Sequence, residues 1–140
     1  MNFDALRQLY TLVCAIPEKE FKLNLFYDNS NGNVCGCGLG YAAVFAVCGL
    51  RICEVDTLPE FESEKGITYR GIDAGAKAFG LSFGDALNLF SGPFRSEYDP
   101  DQAGMTHKQM WLHRMERFFA EQNEPLHVYR EQEKESVNYV

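Results

Sequence analysis

Residues 32–45 read GNVCGCGLGYAAVF, a stretch in which two cysteines and four glycines come directly before an apolar run. The run continues to Leu50, and residues 34–50 contain no charged side chain. A helix that is apolar on nearly every side is typical of the middle of a fold. The sequence therefore predicts a buried central helix over 38–50, with small residues at its start that allow close packing against its neighbours.

The remaining elements follow from apolar spacing and from helix start and stop signals. Apolar residues at intervals of three and four predict the first helix, which Pro17 ends. Gly80 and Ser82 separate two short helices into a hairpin, and Thr106 with Gln109 forms a capping box before the last long helix. The predicted helices span 2–14, 38–50, 71–80, 82–90 and 106–122, and short strands are expected among 21–26, 67–70 and 126–130.

Length and composition favour a single folded unit. The chain has 140 residues, of which 46% are hydrophobic, enough for one core without disulfides or metal. We expect one domain over 1–140 with a polar tail at 131–140. The predicted fold class is mostly α, a single compact helical domain around the buried central helix with at most a small β element.

Charge and targeting signals restrict the partners and the compartment. The net charge of −7 disfavours direct binding to nucleic acid, which needs a surplus of lysine and arginine, and favours a partner with a basic surface. The N-terminus carries no apolar stretch typical of a secretory signal, and the glycine-diluted run at 34–50 favours a buried helix over a membrane span. We therefore expect a cytoplasmic protein, in a cell or an infected host, without a membrane partner.

An acidic segment follows the central helix. Between residues 54 and 64, five acidic side chains accompany no basic residue, and Pro59 disfavours a helix through the segment. The segment is expected to be an exposed connector. It is either a solvated surface or a contact for a partner surface rich in lysine and arginine. The partner-binding candidates are Glu54, Asp56, Glu60, Glu62 and Glu64.

Three kinds of site use cysteines or glycines in patterns like the Cys/Gly motif: a metal site, a dinucleotide-binding loop and a nucleophilic thiol. The four cysteines at 35, 37, 48 and 53 lack the paired spacing of a zinc site, and Tyr41 stands where a dinucleotide loop needs its third glycine. No metal or cofactor is therefore expected. A thiol at a helix N-terminus can act as a nucleophile if a histidine assists it. This alternative is a cysteine hydrolase or transferase that uses Cys35 or Cys37 with His127.

Four stretches in order, FKLNLF, GNVCGCGLGYAA, AKAFGLSFGDALNLF and MTHKQMWLHRMERFF, resemble a recurrent family of small bacteriophage and bacterial proteins of unknown function. The family motif has the form CGTxxCxxGWA, which Cys37, Gly40, Tyr41 and Ala42 match with tyrosine in place of tryptophan. Residues 54–70 have no counterpart in the family pattern.

The resemblance implies a mostly helical domain, often phage-encoded, and transfers no catalytic residue. By analogy we expect a non-enzymatic binding protein that inhibits a component of host defence, as anti-CRISPR proteins do. A structural role as a homo-oligomer is a further alternative.

Overall fold

Helices dominate the residues that the structure, a computed structural model, describes: 1–23, 27–28, 35–54, 60–93 and 99–126. At residues 27, 28, 35, 53 and 54 the description covers the backbone alone. The elements in chain order are α1 (Phe3–Cys14), β1 (Tyr27–Asp28), β2 (Cys35–Gly36), α2 (Gly38–Val44), β3 (Arg51–Glu54), β4 (Glu60–Glu62), β5 (Thr68–Arg70), α3 (Ile72–Phe79), α4 (Phe83–Phe90) and α5 (His107–Glu121), with short 3-10 turns at Glu18–Glu20 and Val47–Gly49.

The helices pack around one apolar core, which confirms the mostly α prediction. Helices α3 and α4 form a hairpin, α4 packs on α5, and α1 lies against both α2 and α5. In the described ranges, no helix combines the length and the hydropathy that crossing a bilayer requires. The largest fully buried side chains include Leu6, Leu9, Phe21, Leu39, Phe61, Phe79, Phe90, Trp111, Met115 and Phe119.

Helix boundaries lie where the capping residues predict them. The side chain of Asn2 accepts a hydrogen bond from the Ala5 amide, and Ser82 caps α4 in the same way. Thr106 and Gln109 exchange both bonds of the predicted capping box at the start of α5. These bonds satisfy amides that have no partner within the helix, and they fix where each helix begins.

The central helix is shorter than predicted. Helix α2 ends at Val44, and the expected continuation to Leu50 is wrong because the backbone at Ala46 and Cys48 is left-handed, with φ of 53° and 57°. A left-handed conformation costs a residue with a Cβ about 1–2 kcal/mol, so tertiary packing imposes this turn against local preference. The first six residues of α2 are all buried, as expected for a central helix.

A three-stranded antiparallel sheet with the order β3-β4-β5 stands beside the helices. Its inner face carries the fully buried Phe61, flanked across the strands by Ile52 and Tyr69. The expectation of an exposed connector is therefore wrong at Glu60–Glu62, which form the middle strand. The alternation of one buried residue between two glutamates is the period of a strand with one face in the core.

The other strand predictions had mixed outcomes. The prediction at 67–70 is confirmed by β5. Near the N-terminus, Phe21 makes only an isolated bridge with Gly36, and residues 24–26 lie outside the described residues. Leu126 belongs to no strand, and residues 127–130 lie outside the described residues.

Helix α1 is held at both ends by residues far away in the chain. The Lys108 ammonium donates hydrogen bonds of 2.8 Å to the carbonyls of Cys14 and Ile16, just where α1 ends. At the other end, the Asn2 amide donates to the Phe79 carbonyl at 2.8 Å. A cation that bonds the last carbonyls of a helix also interacts favourably with the helix dipole.

Candidate functional site

The Cys/Gly motif serves packing in the described structure. Cys37 precedes α2 as its N-cap residue, and Gly38 is the first residue of the helix. A Cβ at Gly38 would lie 2.7 Å from the ring of Trp111, a buried side chain of α5. Glycine at this position therefore lets α2 and α5 approach more closely than any larger residue would, as the sequence predicted for the small residues of the motif.

Cys37 has the environment of a structural thiol. Its side chain is 2% exposed, and burial raises the pKa of the thiol although the amides of Gly40 and Leu39 act in the opposite direction. A nucleophilic cysteine needs access to substrate and a lowered pKa. The position of Cys37 at a helix N-terminus would favour its thiolate, but the burial of the same side chain disfavours the thiolate.

The other parts of the catalytic alternative lie where the structure gives no side chain. The backbone of Cys35 belongs to β2 and pairs with Asp28, whereas its side chain and all of His127 lie outside the described residues. A site of Cys35 with His127 therefore stays a prediction. Among the side chains that the structure describes, no group of three histidine, cysteine or acidic residues is arranged to hold a metal ion.

The acidic candidates are distributed over the sheet. Glu60 and Glu62 lie on the outer face of β4, and Glu64 is exposed in the turn that leads to β5. The backbone of Glu54 ends β3 opposite Glu60, and Asp56 lies outside the described residues. The structure therefore brings Glu60 and Glu62 together on one face of one strand.

Two arginines that the sequence analysis did not single out accompany these glutamates. Arg70 of β5 lies directly across from Glu60 and forms an ion pair of 2.9 Å with it. Arg51 of β3 lies across from Glu62 and also forms an ion pair with it. We call Arg51, Glu60, Glu62 and Arg70 the charged sheet face. Cross-strand pairs of opposite charge stabilise a sheet modestly and hold their side chains in register.

The exposed charge of this face is not purely acidic. The side chains of Glu60 and Glu62 are 25% and 29% exposed, whereas those of Arg70 and Arg51 are 70% and 66% exposed. The two carboxylates thus lie in the middle of the face between two more accessible guanidinium groups. A partner that reaches the carboxylates must fit between the arginines.

The turn between β4 and β5 extends this surface. Residues 63–67 connect the strands, and the backbone amide of Ser63 donates to the Ile67 carbonyl at 2.8 Å, which leaves a three-residue loop at 64–66. Gly66 has a φ of 79° with nothing within 4 Å of the position that a Cβ would take. A glycine with positive φ is typical of the last position in a three-residue hairpin loop. Glu64 and Lys65 are both exposed there.

Comparison of the chain with protein-family models, with curated proteins and with solved structures finds no match. The resemblance to small phage and bacterial proteins therefore stays a prediction.

Proposed function

We propose that the protein is a non-enzymatic binding protein and that the charged sheet face is its contact surface for a partner protein with basic groups. The observation that carries the proposal is the pair of cross-strand ion pairs that fix Glu60 and Glu62 between Arg51 and Arg70. Phe61 anchors the opposite side of the same strand in the core. The charged groups are therefore held in place before a partner arrives.

Long-range and short-range electrostatics have separate roles in this proposal. The net charge of −7 attracts a basic partner from a distance. At contact, the alternation of carboxylates and guanidinium groups selects partners whose charges have the complementary order. The resemblance to phage-encoded proteins supports a component of host defence as the target, with inhibition by occupation of a basic surface.

The catalytic alternative gains no support from the described residues. Its clearest described component, Cys37, is buried, and burial raises the pKa of the thiol. Both properties oppose nucleophilic attack at neutral pH.

The test is capture of a partner from a bacterial host lysate on the immobilised full chain. The double variant Glu60→Gln with Glu62→Gln removes the two carboxylates of the charged sheet face. The matched control, Glu18→Gln with Asp73→Asn, removes two negative charges elsewhere. Because exposed ion pairs each contribute about 0.2–1 kcal/mol, both double variants should remain folded, which circular dichroism verifies.

We expect the sheet variant to retain about one tenth as much partner as the control variant. Both variants should retain less partner as the salt concentration rises, because salt screens the electrostatic attraction. Equal capture by the two double variants would place the contact surface elsewhere. Failure to retain any protein at any salt concentration would contradict the proposed function itself.

A further inference from the structure

Strand β5 forms an edge of the three-stranded sheet, and the hairpin fixes which of its backbone groups face β4. The Ser63 amide donates to the Ile67 carbonyl at 2.8 Å, and hydrogen-bonded pairs in an antiparallel ladder recur at every second residue. Tyr69 is therefore the next residue of β5 that bonds β4. The amide and carbonyl groups of Thr68 and Arg70 consequently point away from the sheet.

These four backbone groups have no hydrogen-bond partner among the described residues. Thr68 and Arg70 make no main-chain hydrogen bond outside the sheet there, and both residues are exposed. Helix α3 follows β5 and packs near it, but it leaves this edge accessible. A sheet edge with unpaired amides and carbonyls is a template for another strand.

Several devices that protect sheet edges are missing from β5. Natural proteins often place a proline, a bulge or a free charge on an edge strand. The strand reads threonine, tyrosine and arginine, and its register with β4 is regular. The charge of Arg70 is balanced by Glu60 at 2.9 Å. Ile67, just before the strand, is 50% exposed, so the edge combines open backbone groups with apolar surface.

A second copy of β5 fits this edge because the strand is complementary to itself. With a two-fold axis at Tyr69, Thr68 of each copy lies opposite Arg70 of the other, and all the open backbone groups form hydrogen bonds. A register centred on Arg70 would set two guanidinium groups opposite each other. A register centred on Thr68 would need Gly66 in the ladder, and its φ of 79° lies outside the strand region.

We propose that the protein forms a homodimer in which two copies of β5 pair edge to edge. The two three-stranded sheets then become one six-stranded antiparallel sheet, joined by four backbone hydrogen bonds. The two Tyr69 side chains form a cross-strand aromatic pair, and Ile67 of each copy lies diagonal to Tyr69 of the other. The charged sheet faces of both copies lie on the same side of the joined sheet. The dimer does not depend on what that face binds.

The first test uses the unaltered full chain in analytical ultracentrifugation and in amide hydrogen exchange resolved by residue. We expect a monomer–dimer equilibrium in which the amides of Thr68 and Arg70 become protected as the dimer fraction rises. The Tyr69 amide bonds β4 within one chain, so it should be protected at every concentration and serves as the internal reference.

Two results of this test would overturn the proposal. A chain that stays monomeric up to its solubility limit would leave the edge of β5 to a strand of another protein. A dimer in which the amides of Thr68 and Arg70 still exchange freely would be formed through a different surface.

Charge substitutions at Thr68 distinguish this dimer from association governed by net charge. Thr68→Lys sets a cation opposite Arg70 of the second copy and should weaken dimerisation about fivefold, whereas Thr68→Glu should strengthen it about fivefold. Net charge alone predicts the reverse order, because an added lysine reduces the repulsion between two acidic chains. Within one chain Thr68 lies opposite Glu62, so the lysine variant should keep its fold.

The matched controls are Gln8→Lys and Gln8→Glu, which make the same charge changes at an exposed position of α1. Their effects on dimerisation should be smaller than those at Thr68 and should follow the order that net charge predicts. Equal effects at the two positions, or a tighter dimer with Thr68→Lys than with the unaltered chain, would refute the pairing of β5. Circular dichroism verifies the fold of each variant. Hydrogen exchange of the unaltered chain decides the matter even if Thr68→Glu, which opposes two carboxylates within one chain, fails to fold.

Discussion

Replacement of Gly38 by alanine tests whether the close approach of α2 and α5 determines the stability of the fold. The added Cβ would lie 2.7 Å from the Cε2 and Nε1 atoms of Trp111, well inside ordinary van der Waals contact. Trp111 is fully buried, so its ring has no open space to move into without displacing other core side chains. Inserting one carbon into a well-packed core typically costs about 1–3 kcal/mol.

Alanine also brings a gain that must be subtracted. It favours a helix over glycine by up to about 1 kcal/mol. With that gain subtracted in full, the net expectation for Gly38→Ala is a loss of up to about 2 kcal/mol in the free energy of unfolding, measured by urea denaturation followed by circular dichroism at 222 nm.

Gly84→Ala is the matched control. Gly84 lies in the first turn of α4, and the nearest atom to an added Cβ is the Ser82 hydroxyl oxygen at 3.9 Å. With space available, the helix preference of alanine should raise the free energy of unfolding by about 0.5–1 kcal/mol. If both alanine variants shift stability in the same direction, the contact with Trp111 does not limit the approach of the helices and the reasoning is wrong.

Three further predictions concern strain, burial and charge. Ala46→Gly should stabilise the protein by about 0.5–1 kcal/mol because it relieves a left-handed residue, whereas Gly66→Ala should destabilise it by about 1 kcal/mol, both measured by thermal unfolding. Cys37 should resist iodoacetamide at neutral pH in the folded protein and react once urea unfolds it, as peptide mass spectrometry will show; rapid labelling of the folded state would contradict its burial. The amide of Asp101 and the guanidinium of Arg117 hold the pKa of Asp99 below its ordinary value, so its stabilising contribution is complete above the unfolded pKa and is lost as the pH falls through the folded one. Asp99→Asn should therefore flatten the fall in melting temperature at acid pH, and an unchanged acid profile would refute this assignment.

Much of the helical structure could be predicted because its signals are local. Asn2, Ser82 and Thr106 each bond an amide three residues ahead, so a short window of sequence contains the whole interaction. The end of α2 could not be predicted in this way. Ala46 is a good helix former, so its residue type gives no signal of its left-handed backbone.

The sheet and the site depended on contacts that are distant in sequence. The triplet Glu60–Glu62 has the period of a strand, but its high charge favoured the prediction of an exposed connector. Arg51 and Arg70 became relevant only through the register that sets each opposite a glutamate, and register depends on how the whole sheet lies on the core. The position of Cys37 at the start of a helix could be predicted.

The long-range bonds of α1 have a consequence for folding during synthesis. Helix α1 leaves the ribosome well before α5, but the ammonium that bonds its final carbonyls belongs to Lys108, 94 residues after Cys14. The hydrogen bond from the Asn2 backbone amide, just before α1, likewise cannot form until Phe79 has been made. Contacts of this separation delay folding because the intervening chain must be made and ordered first. The part of the apolar side of α1 that packs on α5 therefore stays uncovered in the nascent chain until α5 has emerged, even though α2 can cover the rest earlier.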